Sequence, residues 1–164
     1  MRQPSPALRS PLILGVFVLV ALGALFGWLG YRDYQARQAE HQRDLFLQVG
    51  RQAALNLTTI SVDEADTDVA RVLDSATGTF HDDWAQRAPA FVEVVKKAQS
   101  RSTGTVTAAG LESETSDRAR LLVAVSVKTT NAGAPEQQPR AWRMRIDVQK
   151  VGDDAKVANV EFVP

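Results

Sequence analysis

Hydrophobic and polar positions fall into three regimes along the chain. The first is an unbroken apolar run, Leu12 to Leu29 (LILGVFVLVALGALFGWL), inside an uncharged stretch from Ser10 to Tyr31. A helix rising about 1.5 Å per residue crosses a hydrocarbon core of about 30 Å in some twenty residues. Lipid cannot satisfy backbone polar groups, so a spanning segment of this kind is helical. The pattern predicts a transmembrane anchor over residues 12–31, with Leu12, Phe17, Leu22, Phe26, Trp28 and Leu29 as anchor residues. The run exceeds the roughly 7–15 apolar residues of a signal peptide, and no A-x-A-like cleavage site follows it. Residues 1–11 then form a short tail. Trp28, Tyr31 and Tyr34 mark the outgoing boundary as an aromatic belt does. Gly23 and Gly27 make a small-xxx-small pair, a helix-packing face or simply the glycine that such helices commonly carry.

The second regime is helical. Residues 32–44 are polar on all sides and free of Pro and Gly, with Asp33 and Arg37 spaced as a favourable i,i+4 pair. They read as a solvated helical stalk. Phe46, Val49, Ala53, Leu57 and Ile60 then recur at intervals of four or three, one apolar face of a helix. A short second helix presents Val69, Val72, Leu73 and Ala76. Thr67 or Asp66 is its N-cap, Asp68 lies in its first turn, and Gly78 is its terminating C′ residue. A third presents Phe80, Trp84, Ala88, Phe91, Val95 and Ala98, is kinked or broken near Pro89, and ends near Ser100.

After residue 101 the period falls from 3.6 to 2. Strands are predicted at Ser102–Leu111, at Leu121/Val123/Val125/Val127, at Trp142/Met144/Ile146/Val148 and at Val157–Val163. In the last of these Ala158, Val160 and Phe162 are the core face. The connections ESETSD, TNAGAPEQQP and VGDDA are polar and rich in turn residues, so neighbouring strands should pair as antiparallel hairpins. The second connection, the longest, should be the most mobile. An anchor, then three helices, then a four-stranded antiparallel sheet is an α+β layer fold, a single domain over residues 45–164.

Composition adds exclusions. The 164 residues carry 19 basic and 19 acidic side chains, no cysteine, and 45% apolar residues. Disulfides and cysteine-based metal or redox sites are excluded, and nothing supports nucleic-acid binding. Charge counts beside the anchor do not orient it: Arg2 and Arg9 precede it, and Arg32, Arg37 and Arg43 follow. The size asymmetry suggests a cytoplasmic N-terminus and an outer C-terminal domain, single-pass in the inner membrane.

Candidate chemistry is sparse. His41 sits among the stalk's charges and reads as a solvated histidine. His81-Asp82-Asp83 reads as a first helical turn, because adjacent helical residues do not converge on a ligand. Asp63, Glu64, Asp66 and Asp68 lack the sixth-position Gly and twelfth-position Glu of a calcium loop. No phosphate loop, nucleophile elbow or HExxH occurs. No catalytic, metal or cofactor-binding residue is therefore assigned. Trp84, Phe91, Trp142, Met144 and Ile146 are either ordinary core or the lining of a cavity between helices and sheet. Arg140, Arg143 and Arg145 alternate on the opposite face, a solvated surface open to an acidic partner.

DVARVLDSATGTF (68–80), STGTVTAAGL (102–111), LLVAVSV (121–127), PRAWRMRIDV (139–148) and ANVEFV (158–163) together give the chain a resemblance to the Mce-associated membrane proteins of mycobacteria and their actinobacterial relatives. That resemblance implies a cystatin-like, SnoaL-like or nuclear transport factor 2-like roll outside the membrane. It also implies a non-enzymatic accessory role beside Mce lipid-import transporter subunits, with no cofactor and no catalytic residue to carry over. Similar anchored rolls serve as scaffolds in VirB-type secretion systems. Two alternatives follow: a secretion scaffold, and a membrane-tethered roll that binds, or acts on, a lipid or small molecule. The anchor's glycines and exposed strand edges allow homo- or hetero-oligomers without demanding them.

Overall fold

The computed structural model describes residues 9–132 and 138–164; within the first helix, side chains are described at position 19 and from 22 onward. Residues 1–8 of the short tail, the side chains of anchor residues Leu12 and Phe17, and the centre of the TNAGAPEQQP connection lie outside the described set. The chain divides into two compact units, residues 1–42 and 43–164.

The segments read as anchor, stalk and first amphipathic face are one helix, α1 (Arg9–Thr58). Between Pro11 and Pro89 no proline interrupts the backbone ladder, so nothing local stops the helix. In the first unit the described apolar side chains Leu22, Leu25, Phe26, Trp28 and Leu29 are all exposed. Among the described residues no helix is long and apolar enough to cross a membrane. The expected span runs through side chains outside that set. Beyond it, i,i+4 bonds replace tertiary contacts. Arg37 pairs with Asp33 at 2.9 Å, Gln35 donates to the Tyr31 hydroxyl at 2.8 Å, and Gln38 donates to Tyr34 at 2.7 Å.

The second unit holds the end of α1, then β1 (Ile60–Ser61), α2 (Ala65–Ser75), α3 (Gly78–Ala98), β2 (Arg101–Glu114), β3 (Arg118–Thr130), β4 (Arg140–Val151) and β5 (Asp154–Val163). The strands form one antiparallel sheet in the order β1-β2-β3-β4-β5. The class is the expected one, but the sheet has five strands rather than four. Ile60, read as the last position of a helical face, belongs to β1 and pairs with Ser102. That partner is some forty residues away, so no local signal marks the pairing.

Phe46, Ala53 and Ala54 of α1 pack with Leu121, Val123, Val125, Met144, Ile146 and Val148 in the main core. Gly50 permits this approach: a Cβ there would lie 2.9 Å from Leu121 Cδ2. Ile60, Ala65 and Val95 form a second cluster, with Phe91 packed against it.

Several helix boundaries differ from the sequence reading. α2 begins two or three residues early, and Glu64, not Thr67 or Asp66, holds the N-cap position without a side-chain bond. Asp68 instead turns inward, buried, and accepts from the Ser61 amide at 2.8 Å and from Arg71 at 3.0 Å. Gly78 opens α3 at φ +59° instead of closing α2. α3 runs through Pro89 without a break. Proline removes one ladder bond, and the buried Ala88 and Val95 on either side hold the rest of the helix against the domain.

In β5 the expected core face holds in part: Val160 and Phe162 lie on it, opposite Ile146 and Met144, but Ala158 does not. The pairing Asp147↔Asn159 followed by Val148↔Val157 leaves Ala158 as an extra residue. This bulge reverses the alternation, so Ala155 and Val157 are buried before it, and Val160 follows on the same face. Gly152, at φ +65°, occupies the first position of the two-residue β4–β5 turn, where the left-handed region suits glycine.

Candidate functional site

The space between α3 and the sheet is filled at depth and open at one end. Met144 and Ile146 have no exposed surface and pack in one cluster with Phe46 and Leu121. They are core, not cavity lining, because the end of α1 covers them. Phe91 and Trp142 do line a cavity of about 340 Å³ at the open end, with Val94 and Val95 of α3, Leu57 of α1 and Val127 of β3. The rest of its lining is Ile60, Ala98, Thr58, Ser100, Ser102, Thr129 and Asn131, so no titratable side chain lines it among the described residues. Trp84 does not reach this cavity. It packs against Phe91, with ring centroids 5.4 Å apart, and its indole nitrogen is buried without a partner.

The helices do not reach the end of the sheet's inner face. Trp142 is 39% and Phe162 64% exposed there, and the two rings meet edge to face with centroids 5.5 Å apart. Alternation in the sequence marked Phe162 as core. It does lie on the core face, opposite Met144, but no helix covers it.

The outer face carries paired charges. Arg120 grips Asp147 with Nε at 2.6 Å and Nη2 at 3.0 Å; Arg145 grips Glu112 at 2.8 and 3.1 Å and lies 3.8 Å from Glu161. These hydrogen bonds hold the Asp147 and Glu112 carboxyls below their ordinary values and raise the two guanidinium groups. Arg143 donates to the Pro164 carbonyl at 2.8 Å. Arg145, expected to be solvated, is instead engaged, because the β2–β3–β4 arrangement brings Glu112 within reach.

His41 is exposed, and His81 Nδ1 lies 3.1 Å from Asp82 Oδ1 on the exterior. Among the described residues no three His, Asp or Glu side chains converge as a metal site. The sequence reading missed Asn131, whose Oδ1 is buried without a partner at the cavity rim. No signal in the TNAGAPEQQP connection marks it.

Known proteins share both the architecture and the sequence. An IcmL-like type IV secretion system protein of Legionella pneumophila superposes with a TM-score of 0.60 at 14% identity, covering 74% of this chain and 92% of that one. CagV, a VirB8 homolog of the Helicobacter pylori type IV secretion system, superposes at 0.56 and 11% identity, covering 73% and 97%. At such identities the likeness is one of fold. In sequence, "Uncharacterized protein Rv1363c" of Mycobacterium tuberculosis (strain ATCC 25618 / H37Rv) is 35% identical over 149 residues, 91% of this chain. The chain spans 57% of that relative's length. The family model "Uncharacterized protein Rv1363c/MT1408-like" matches residues 10–164, and the chain belongs to that family.

Proposed function

We propose that this protein is a non-enzymatic, membrane-anchored scaffold that helps assemble or stabilise a multi-subunit transport complex of the cell envelope. The observation that carries this reading is the roll's interior. Its depth is packed with fully buried apolar side chains, and its open end is lined without an acid or base. General acid–base chemistry needs a titratable group within reach of the substrate, and this interior presents none among the described residues. The exposed leucines and aromatics of the first unit suit a lipid environment, which water does not provide. The N-terminus then lies in the cytoplasm and the α+β domain outside it.

Two machines are candidates for the complex. Similarity of fold to type IV secretion proteins supports a secretion-type scaffold. The sequence resemblance to Mce-associated proteins supports an Mce lipid-import transporter. In-cell photocrosslinking from exposed positions Leu122 and Phe162, followed by identification of captured chains, separates them. Capture of Mce subunits supports the transporter role; capture of secretion-channel subunits supports the secretion scaffold. Capture of neither, in cells where a known subunit pair of each machine crosslinks, refutes the assembly role. The chain has no cysteine, so single cysteines at Ser5 and Asp153 report orientation. An impermeant maleimide should label only the second in intact cells.

A further inference from the structure

The cavity at the open end of the roll has a chemistry that packing alone does not require. One wall is apolar: Leu57, Phe91, Val94, Val95, Val127 and Trp142. Its polar lining is uncharged and includes Ser100, Ser102, Thr129 and Asn131. Asn131 is held there because the next residue's amide, Ala132 N, donates to the Ala98 carbonyl at 3.1 Å, tying the end of β3 to the end of α3. Its Oδ1 atom is buried and unpaired. An unpaired buried acceptor is a standing cost, relieved by any donor that reaches it. The amide torsion is broad, so the oxygen can turn into the cavity without leaving a rotamer well.

We infer that this cavity binds a neutral, single-chain amphiphile whose head group donates a hydrogen bond to Asn131. The tail lies against Phe91, Val94 and Trp142; the head meets the hydroxyl and amide rim. The lining holds no counter-ion among the described residues, so a carboxylate or ammonium head brought to the rim loses water without gaining a charged partner. A space of about 340 Å³, open on one side, has room for a short single alkyl chain. A ten-carbon alcohol supplies such a chain with a neutral donor head. Such a site adds a lipid-sensing function to the roll and does not depend on which complex the protein assembles with.

The test uses the full chain in lipid nanodiscs and 1-decanol carrying a diazirine in its chain. Light should place the label on the 91–98 and 142 peptides, and unlabelled 1-decanol and decanamide should compete it away. Decanoate and methyl decanoate, lacking a neutral donor, should compete about ten-fold less well, the worth of one hydrogen bond to a buried acceptor. Asn131→Leu should keep the labelling and lose the preference for alcohol over ester. Ala98→Phe should fill the cavity and abolish labelling at these peptides; if that variant fails to fold by circular dichroism, the Asn131→Leu arm decides. Label confined to residues 12–31, equal competition by decanoate, or an unchanged alcohol preference in Asn131→Leu overturns the proposal.

Discussion

Adding one methyl group at Gly104 tests how closely α1 and the sheet are joined. Gly104 is a buried β2 position facing the last turn of α1. An added Cβ would overlap Thr58 Oγ1, sit 2.7 Å from Thr58 Cβ, and lie 3.3 Å from Val125 Cγ1. Thr58 cannot easily yield. It is 2% exposed, and its hydroxyl donates to the Ala54 carbonyl at 2.6 Å. The Gly104 amide also donates to Thr59 Oγ1 at 3.2 Å, and any retreat of the helix end lengthens that bond. Replacing glycine by alanine within a strand favours folding by about 0.5–1 kcal/mol through backbone entropy. Overpacking costs about 1–3 kcal/mol, and a weakened hydrogen bond adds about 0.5–1.5. The cost wins, and Gly104→Ala should destabilise the domain by roughly 1–3 kcal/mol. Gly110, in the same strand, supplies the control, because nothing lies within 4 Å of its added Cβ. Gly110→Ala keeps only the entropic gain and should be neutral or stabilising by up to about 1 kcal/mol. Urea unfolding of the full chain in mild detergent, followed by tryptophan emission, measures both. Equal midpoints for the two variants, or a Gly104→Ala midpoint above the parent, would refute the close approach of Thr58 to the sheet.

Neighbouring leucines on β3 face opposite ways, so their truncations should diverge. Leu121, fully buried, should cost about 2–5 kcal/mol on substitution by alanine. Leu122, 42% exposed, should stay within about 0.5 kcal/mol of the parent by the same unfolding assay. Acid should release the outer-face pairs. Asp147 and Glu112 are held below their ordinary values of 3.8 and 4.5 by Arg120 and Arg145. A lowered folded-state value means that the stabilisation is fully present above those ordinary values and disappears as pH falls through the folded ones. The double variant Asp147→Asn, Glu112→Gln should therefore unfold earlier than the parent near neutral pH and converge with it in strong acid. A gap between parent and variant that persists in strong acid would contradict the assignment.

Where burial follows a short period, the residues announce it. Leu121, Val123, Val125 and Val127 alternate with Arg120 and Leu122 and occupy opposite faces of β3 as read. On α3, Phe80, Trp84, Ala88, Phe91, Val95 and Ala98 all turn at least partly inward. Asp33 and Arg37 meet because four residues of helix bring them together regardless of anything else in the chain. The misreadings share a different cause. β1 is two residues long and is defined only by its partner on β2. The β5 bulge at Ala158 reverses a face without changing the residue pattern around it. Pro89 stays inside α3 because contacts made by Ala88 and Val95 outweigh one missing backbone bond.

The candidate site divides along the same line. Sequence periodicity determined that Phe91, Trp142, Met144 and Ile146 point toward one interior, since strand and helix geometry assign faces over two to four residues. Only the tertiary structure decided which of them would be sealed. Met144 and Ile146 lie where the end of α1 closes over the sheet, whereas Trp142 and Phe162 lie past the helices and keep exposed surface. The pairing of Arg145 with Glu112 and the unpaired Asn131 oxygen likewise depend on strand register and on where α3 ends. Those are distances between segments remote in sequence, and no local pattern encodes them.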